Sequence, residues 1–257
     1  MLRRLSRAAL VLVAATAVTL APATASSTAA AVADERAPSP RWAEISRIDG
    51  GFRYLASMHA SNLSITRVGA RVVFHDRAMR RFREALPTGC RRVTVQRGIA
   101  ASCRIPAWAT GANPLTLAIV PQGGNDRVDG STLGAELRLS VEPGPGDDTV
   151  LGGAAADLIN GALGIDHVDG GAGRDLIRVG PGNDVAEGGP GWDRVVGGDG
   201  NDELSGSEGD DDLEGGEGND LLLGGVGGDS LFCGPGYDTT DDDGQFDGVQ
   251  HCEAVLP

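Results

Sequence analysis

Between Pro143 and Asp241 an aspartate stands at every ninth position, eleven times without a break: Asp148, Asp157, Asp166, Asp175, Asp184, Asp193, Asp202, Asp211, Asp220, Asp229 and Asp238. Each supplies a hard anionic oxygen, the kind of donor that Ca2+ collects in sets of six to eight. Around them recurs the frame G-G-x-G-x-D-x-U-x, with U apolar, cleanest in Gly188–Val196 (GGPGWDRVV), Gly197–Ser205 (GGDGNDELS) and Gly215–Leu223 (GGEGNDLLL). Glycines at positions 1, 2 and 4 admit backbone angles closed to other residues, so six residues can turn tightly and aim carbonyl oxygens inward. The chemistry indicated is cation coordination by carboxylates and backbone oxygens together.

Positions 7 to 9 must form the short strand that holds each turn in place, with position 8 pointing inward. That position reads Val150, Ile159, Val168, Ile177, Ala186, Val195, Leu204, Leu213, Leu222, Leu231 and Thr240, apolar in all but the last. The frame resembles the nonapeptide of calcium-binding parallel β-rolls. In such a roll two nonapeptides make one turn, so residues eighteen apart stack on the same edge. The aspartates then form two rows, one from Asp148 to Asp238 and one from Asp157 to Asp229. One ion between each pair of same-edge neighbours predicts up to nine Ca2+ sites. Ala155, Ala162, Val179 and Ser207 replace glycine in the frame, which predicts weaker sites toward the N-terminal end.

Residues 143–257 carry 26 Asp and Glu against three arginines, Arg174, Arg178 and Arg194, a net charge of −23. Stacked at strand spacing these carboxylates repel, and ordering a glycine-rich chain costs conformational entropy. Ion binding and folding are therefore expected to be one event. An acidic, glycine-rich linker would share this composition, but disorder has no reason to place Val, Ile or Leu at every ninth residue.

Residues 34–142 are different, with 16 Arg against 10 acids. Alternating apolar runs predict strands at Phe52–Ala56, Leu63–Val68, Arg71–His75, Val93–Gln96, Ser102–Ile105 and Leu115–Val120. Arg77–Leu86 is expected to be helical or irregular. Pro121–Asp129 (PQGGNDRVD) resembles a single nonapeptide four residues out of phase with the array, and Gly130–Glu142 would reset the register. The expected fold class is all-β: a parallel β-roll over 143–241, preceded by a smaller β-rich cap over 41–142 and followed by a closing segment, 242–257.

The N-terminus has a basic start (Arg3, Arg4, Arg7), an apolar run Ala8–Ala21 and small residues up to Ala25. This predicts a signal peptide, 1–25, with a second cleavage option as late as Ala33. The apolar run is about 14 residues, short of the roughly 20 that a membrane-spanning helix needs, so no membrane span is expected. The expected location is extracellular. Four cysteines, Cys90, Cys103, Cys233 and Cys252, suit an oxidising compartment. Pairing Cys90 with Cys103 and Cys233 with Cys252 would close two local loops, and the sequence leaves all three possible pairings open.

The array is identified as similar to the RTX, or haemolysin-type, calcium-binding repeats. The whole chain resembles secreted calcium-binding proteins of actinobacteria. That wider likeness rests on N-x-L-x-I-T-x-x-G-x-x-V-x-F-x-D (Asn62 to Asp76), the paired cysteine hairpin and D-x-V-x-x-C-E-x-V (Asp247 to Val255). The resemblance implies Ca2+ as the ion and leaves the biological role open, because such repeats accompany toxins, proteases, lipases and adhesins.

No H-E-x-x-H, G-x-S-x-G or phosphate-binding loop is present. Gly228–Leu231 (GDSL) matches a hydrolase block, but Asp229 and Leu231 already hold repeat positions 6 and 8. Asp241–Gly244 (DDDG) resembles an EF-hand fragment, yet Thr239 and Gln250 stand where its acidic ligands belong. Two functions remain in view: a secreted, non-catalytic calcium-binding protein with a structural or adhesive role, and a secreted hydrolase folded with the help of its calcium module. The basic cap suggests an anionic cell-wall polymer or polysaccharide as a partner. A net charge of −14 argues against nucleic acid.

Overall fold

The computed structural model describes residues 41–241, 248–252 and 254–256. The expected signal segment lies outside the described residues, as do Asp242, Asp243 and Asp247. The described residues form strands and no helix, and none of them builds a helix long and apolar enough to cross a membrane.

The N-terminal β-region starts with two hairpins. Strand β1 (Trp42–Ile48) folds back on β2 (Gly51–Ala56), and β3 (Asn62–Val68) on β4 (Arg71–Asp76). Gly50 (φ 77°) and Gly69 (φ 59°) take the left-handed angles that such two-residue connections demand. A short β5 (Arg81–Phe82) lies parallel to β1, while β6 (Cys90–Val93) and β7 (Ile99–Arg104) pair antiparallel beside β4. Cys90 and Cys103 face each other in that pairing and are joined by a disulfide.

From β8 (Leu115–Val120) onward every strand pairing is parallel, and successive strands alternate between two sheets. They are β9 (Arg127–Asp129), β10 (Leu137–Val141), β11 (Thr149–Leu151), β12 (Leu158–Asn160), β13 (His167–Asp169), β14 (Leu176–Arg178) and β15 (Val185–Pro190). The series continues with β16 (Arg194–Asp199), β17 (Glu203–Glu208), β18 (Asp212–Glu217), β19 (Leu221–Val226), β20 (Ser230–Phe232), β21 (Thr239–Asp241), β22 (Gly248–Gln250) and β23 (Ala254–Leu256). The even-numbered strands from β8 to β22 continue into β2, β1 and β5, and the odd-numbered strands from β9 to β23 into β3, β4, β7 and β6. Both sheets thus run unbroken from the N-terminal hairpins through the repeats. The result is an all-β parallel roll with a β-rich region ahead of it.

The eighteen-residue stacking is met: Val150 pairs with Val168, Ile159 with Ile177 and Leu204 with Leu222. All eleven position-8 residues, Thr240 included, are at most 1% exposed. They make a thin core with one inward side chain per strand, continuous with a broader core around Phe52, Tyr54, Leu63 and Phe74. Removing a buried Leu side chain from such a stack costs about 2–5 kcal/mol. A second disulfide, Cys233–Cys252, ties the last turns to the closing segment.

Two local expectations differ from the structure. The strand expected at Val93–Gln96 is Cys90–Val93, because the disulfide-linked pairing with β7 fixes its register and Gly98 turns the chain at φ 83°. Trp42–Ile48 was not expected as a strand, although its Asp49–Gly50 turn is a hairpin signal. Arg77–Leu86 takes the irregular one of its two expected forms, apart from β5.

Candidate metal centre

Each nonapeptide turn delivers its aspartate to the edge between the two sheets. All eleven aspartates are buried, at 1–3% exposure. Their first carboxylate oxygen is used the same way throughout: Oδ1 accepts the backbone N–H of the residue one turn earlier. Asp148 N donates to Asp166 at 2.8 Å, Asp166 N to Asp184 at 2.7 Å, Asp184 N to Asp202 at 2.9 Å and Asp202 N to Asp220 at 2.9 Å. On the other edge Asp157 N donates to Asp175 at 2.6 Å, Asp175 N to Asp193 at 2.7 Å and Asp193 N to Asp211 at 2.7 Å. Asp220 N and Asp211 N continue the two ladders to Asp238 and Asp229.

The second oxygen is different. At Asp148, Asp166, Asp175, Asp184, Asp193, Asp202, Asp211 and Asp220, Oδ2 is buried and has no hydrogen bond. A buried carboxylate oxygen without a partner is costly, and here it recurs turn after turn along both edges. Asp157 departs from this pattern, since its Oδ2 accepts the Gly153 N–H at 2.8 Å.

Burial raises the pKa of nine of these carboxyls, and neighbouring carboxylates add to the effect at most of the nine. Burial pushes Asp175 up to about 8, Asp166 to about 7, and Asp148, Asp157, Asp202 and Asp211 to about 6. It also raises Asp184, Asp193 and Asp220. Backbone N–H donors oppose the shift without cancelling it.

Glycine makes the close stacking possible. A Cβ on Gly200 would overlap the carbonyl oxygen of Gly182, and one on Gly218 that of Gly200. A Cβ on Gly215 would lie 2.5 Å from Asp220 Oδ2, so the position-1 glycine also leaves room beside the open carboxylate oxygen. At two of the four replaced glycines, Ala162 (φ 85°) and Ser207 (φ 83°), the backbone keeps the left-handed angle.

Among the described residues no three His, Cys, Asp or Glu side chains converge on one point. A cage made only of side chains is therefore absent there. The available donors are one carboxylate per half-turn and tightly packed backbone carbonyls, a mixed oxygen set of the kind Ca2+ accepts.

A family model described as the RTX calcium-binding nonapeptide repeat matches residues 144–168, 169–204 and 205–239. Residues 144–239 are RTX calcium-binding repeats. Comparison with the curated proteins and with the solved structures finds no match. The RTX assignment agrees with the buried aspartate rows, and a calcium-binding β-roll is the function of this part of the chain.

Three histidines and Ser230, the serine of the GDSL string, are otherwise engaged or exposed. His75 Nε2 lies 2.9 Å from the Arg97 carbonyl, His167 is exposed, and His251 packs edge-on against Phe232. Ser230 is exposed on β20. One residue escaped the sequence reading of the site: Asp126, which is 3% exposed and has an Oδ2 without a hydrogen bond. Its signal was the off-phase PQGGNDRVD.

Proposed function

We propose that the chain is an extracellular, non-catalytic calcium-binding protein with a structural or adhesive role, exported through its N-terminal signal segment. The observation that carries this reading is the repeated buried Oδ2 without a hydrogen bond along both edges of the roll. The proposed ligands are Asp148, Asp157, Asp166, Asp175, Asp184, Asp193, Asp202, Asp211, Asp220, Asp229 and Asp238, together with glycine carbonyl oxygens, for up to about nine ions. Asp157 is the weakest candidate, because Gly153 already occupies its second oxygen.

When bound, Ca2+ supplies two positive charges per site where desolvated carboxylates would otherwise repel. The aspartate Oδ1 ladder fixes the spacing of turns, and the glycines let carbonyls approach. Position-8 side chains close the core once the turns stack. Two disulfides support an oxidising compartment.

The basic N-terminal region concentrates exposed arginines on its outermost strands, Arg81 on β5 and Arg91 and Arg92 on β6. Charge there keeps the sheet edges from pairing with another chain. The same charge would suit an anionic wall polymer.

Circular dichroism of the full chain tests the main reading. Adding Ca2+ should increase β-structure, and a chelator should reverse the change. Mg2+ should substitute poorly, since it demands tight octahedral geometry and dehydrates reluctantly. A spectrum indifferent to Ca2+ would overturn the reading.

A further inference from the structure

The junction between the N-terminal β-region and the repeats holds a turn that the nine-residue count skips. Pro121–Asp129 lies outside the matched repeats, yet it stacks as a member of the roll. Its strand β9 pairs with β11, setting Val128 beside Val150. Gln122 (φ 81°) and Gly124 (φ 93°) hold left-handed angles at the second and fourth positions of the turn, as Ala162 does at the second and Gly146 (φ 146°) at the fourth. A Cβ on Gly146 would overlap the Gly124 carbonyl oxygen, just as one on Gly164 would overlap that of Gly146. The offset of four arises in the next half-turn, Gly130–Glu142, where extra residues loop out around buried Leu133.

Asp126 takes the ladder position. Its backbone N–H donates to Asp148 Oδ1 at 2.6 Å, and its own Oδ1 accepts the Ser61 N–H at 2.5 Å. At position 5, Asn125 and Asp147 bond each other as well, at 3.2 Å. That leaves Asp126 Oδ2 buried with no hydrogen bond. The nearby Asp76 cannot compensate it, since it is itself a carboxylate. The opposite edge offers no counterpart: apolar Leu139 stands one turn before Asp157, and Asp157 Oδ2 is already bonded to Gly153.

We propose that Asp126 and Asp148, with the backbone carbonyls of the Gln122–Gly124 turn, form one further Ca2+ site that joins the N-terminal β-region to the roll. It rests on the calcium-binding reading above and adds a site on one edge only. The first turn of the roll is thereby secured to β3 through Ser61 rather than left to fray.

Bound Ca2+ is to be counted by equilibrium dialysis on the full chain and on Asp126→Asn, which keeps the shape and the Oδ1 acceptor. The variant should hold one ion fewer, with the remaining ions retained. The same count in both chains overturns the site and would mean that Asp126 is a neutral, protonated acid. A chain that binds no Ca2+ in either form overturns instead the reading beneath it. Should Asp126→Asn fail to fold, hydrogen exchange at the Ser61 and Asp126 amides of the unsubstituted chain decides. Protection that rises with Ca2+ supports the site, and protection indifferent to Ca2+ while the roll responds overturns it.

Discussion

Asp76, in the N-terminal β-region, is 1% exposed, and Asp166, in the repeats, is 2% exposed. Asp76 is surrounded by donors: Oδ2 accepts the Tyr54 hydroxyl at 2.6 Å, and Oδ1 accepts the N–H groups of Asn62, Ala78 and Met79. Asp166 accepts one backbone N–H, from Asp148, and its other oxygen accepts none. Burial therefore does not separate the two aspartates; incomplete satisfaction does, and it is what supports Asp166 as a proposed Ca2+ ligand. The cores differ in the same sense. The N-terminal region packs Phe52, Tyr54 and Phe74 between antiparallel hairpins, whereas the roll has a single file of aliphatic side chains per sheet. One region satisfies its buried polar groups within the protein fold, and the other leaves a row of them open.

The largest effect separating the two regions is expected from breaking the aspartate rows at their middle. Asp202 is shared by the Asp184–Asp202 and Asp202–Asp220 pairs, whereas Asp148 lies at the start of the matched repeats. In a stacked, nearly one-dimensional array a central break interrupts propagation on both sides, whereas the turn at Asp148 is backed by Asp126 and β3 whether or not its ions bind. Asp202→Ala should therefore raise the calcium midpoint for folding several-fold more than Asp148→Ala. Equal midpoints in a calcium titration would argue for independent sites.

A second contrast should reverse sign with calcium. Asp76→Asn removes charge-assisted hydrogen bonds, each worth about 1.5–3 kcal/mol, and should destabilise the chain with or without Ca2+. Asp166→Asn should destabilise in Ca2+ and stabilise in chelator, where it removes an uncompensated buried charge. Urea melts of both variants in Ca2+, and their residual β-structure by circular dichroism in chelator, check this. An Asp166→Asn effect of the same sign in both would contradict it.

Without calcium, acid should partly replace it. The roll carboxyls bind their protons more tightly folded than unfolded, because burial raises Asp175 to about 8 and Asp166 to about 7. Protonation thus favours the folded roll. That contribution is complete below an ordinary aspartate pKa of about 4 and is lost as pH rises through the folded values, about 6 to 8. In chelator, circular dichroism should therefore show more β-structure at pH 5 than at pH 8.

The smallest effect concerns the strained turns. Ser207→Gly relieves a non-glycine residue at φ 83°, worth about 1 kcal/mol or more where strain is local. It should lower the calcium midpoint slightly, and a higher midpoint would show that the hydroxyl, bonded to Glu187 at 3.0 Å, matters more.

Periodicity made the array legible: one aspartate and one inward apolar residue per nine positions gave both rows and the core. What it hid lay where pairing partners decide. Strand β6 was displaced from Val93–Gln96 to Cys90–Val93 by its partner β7, and β5 is too short to carry a pattern of its own. Asp126 was hidden by a four-residue insertion that changes the count along the chain and leaves the stacking in space unchanged.

The contrast between a self-sufficient region and one proposed to be completed by ions is tested most directly by hydrogen exchange on the full chain, with saturating Ca2+ and then with chelator. The account predicts that chelation strips protection from the repeats, residues 143–241, while the hairpins β1–β2 and β3–β4 around Tyr54 and Phe74 stay protected. Protection lost equally in both regions, or in neither, would contradict it.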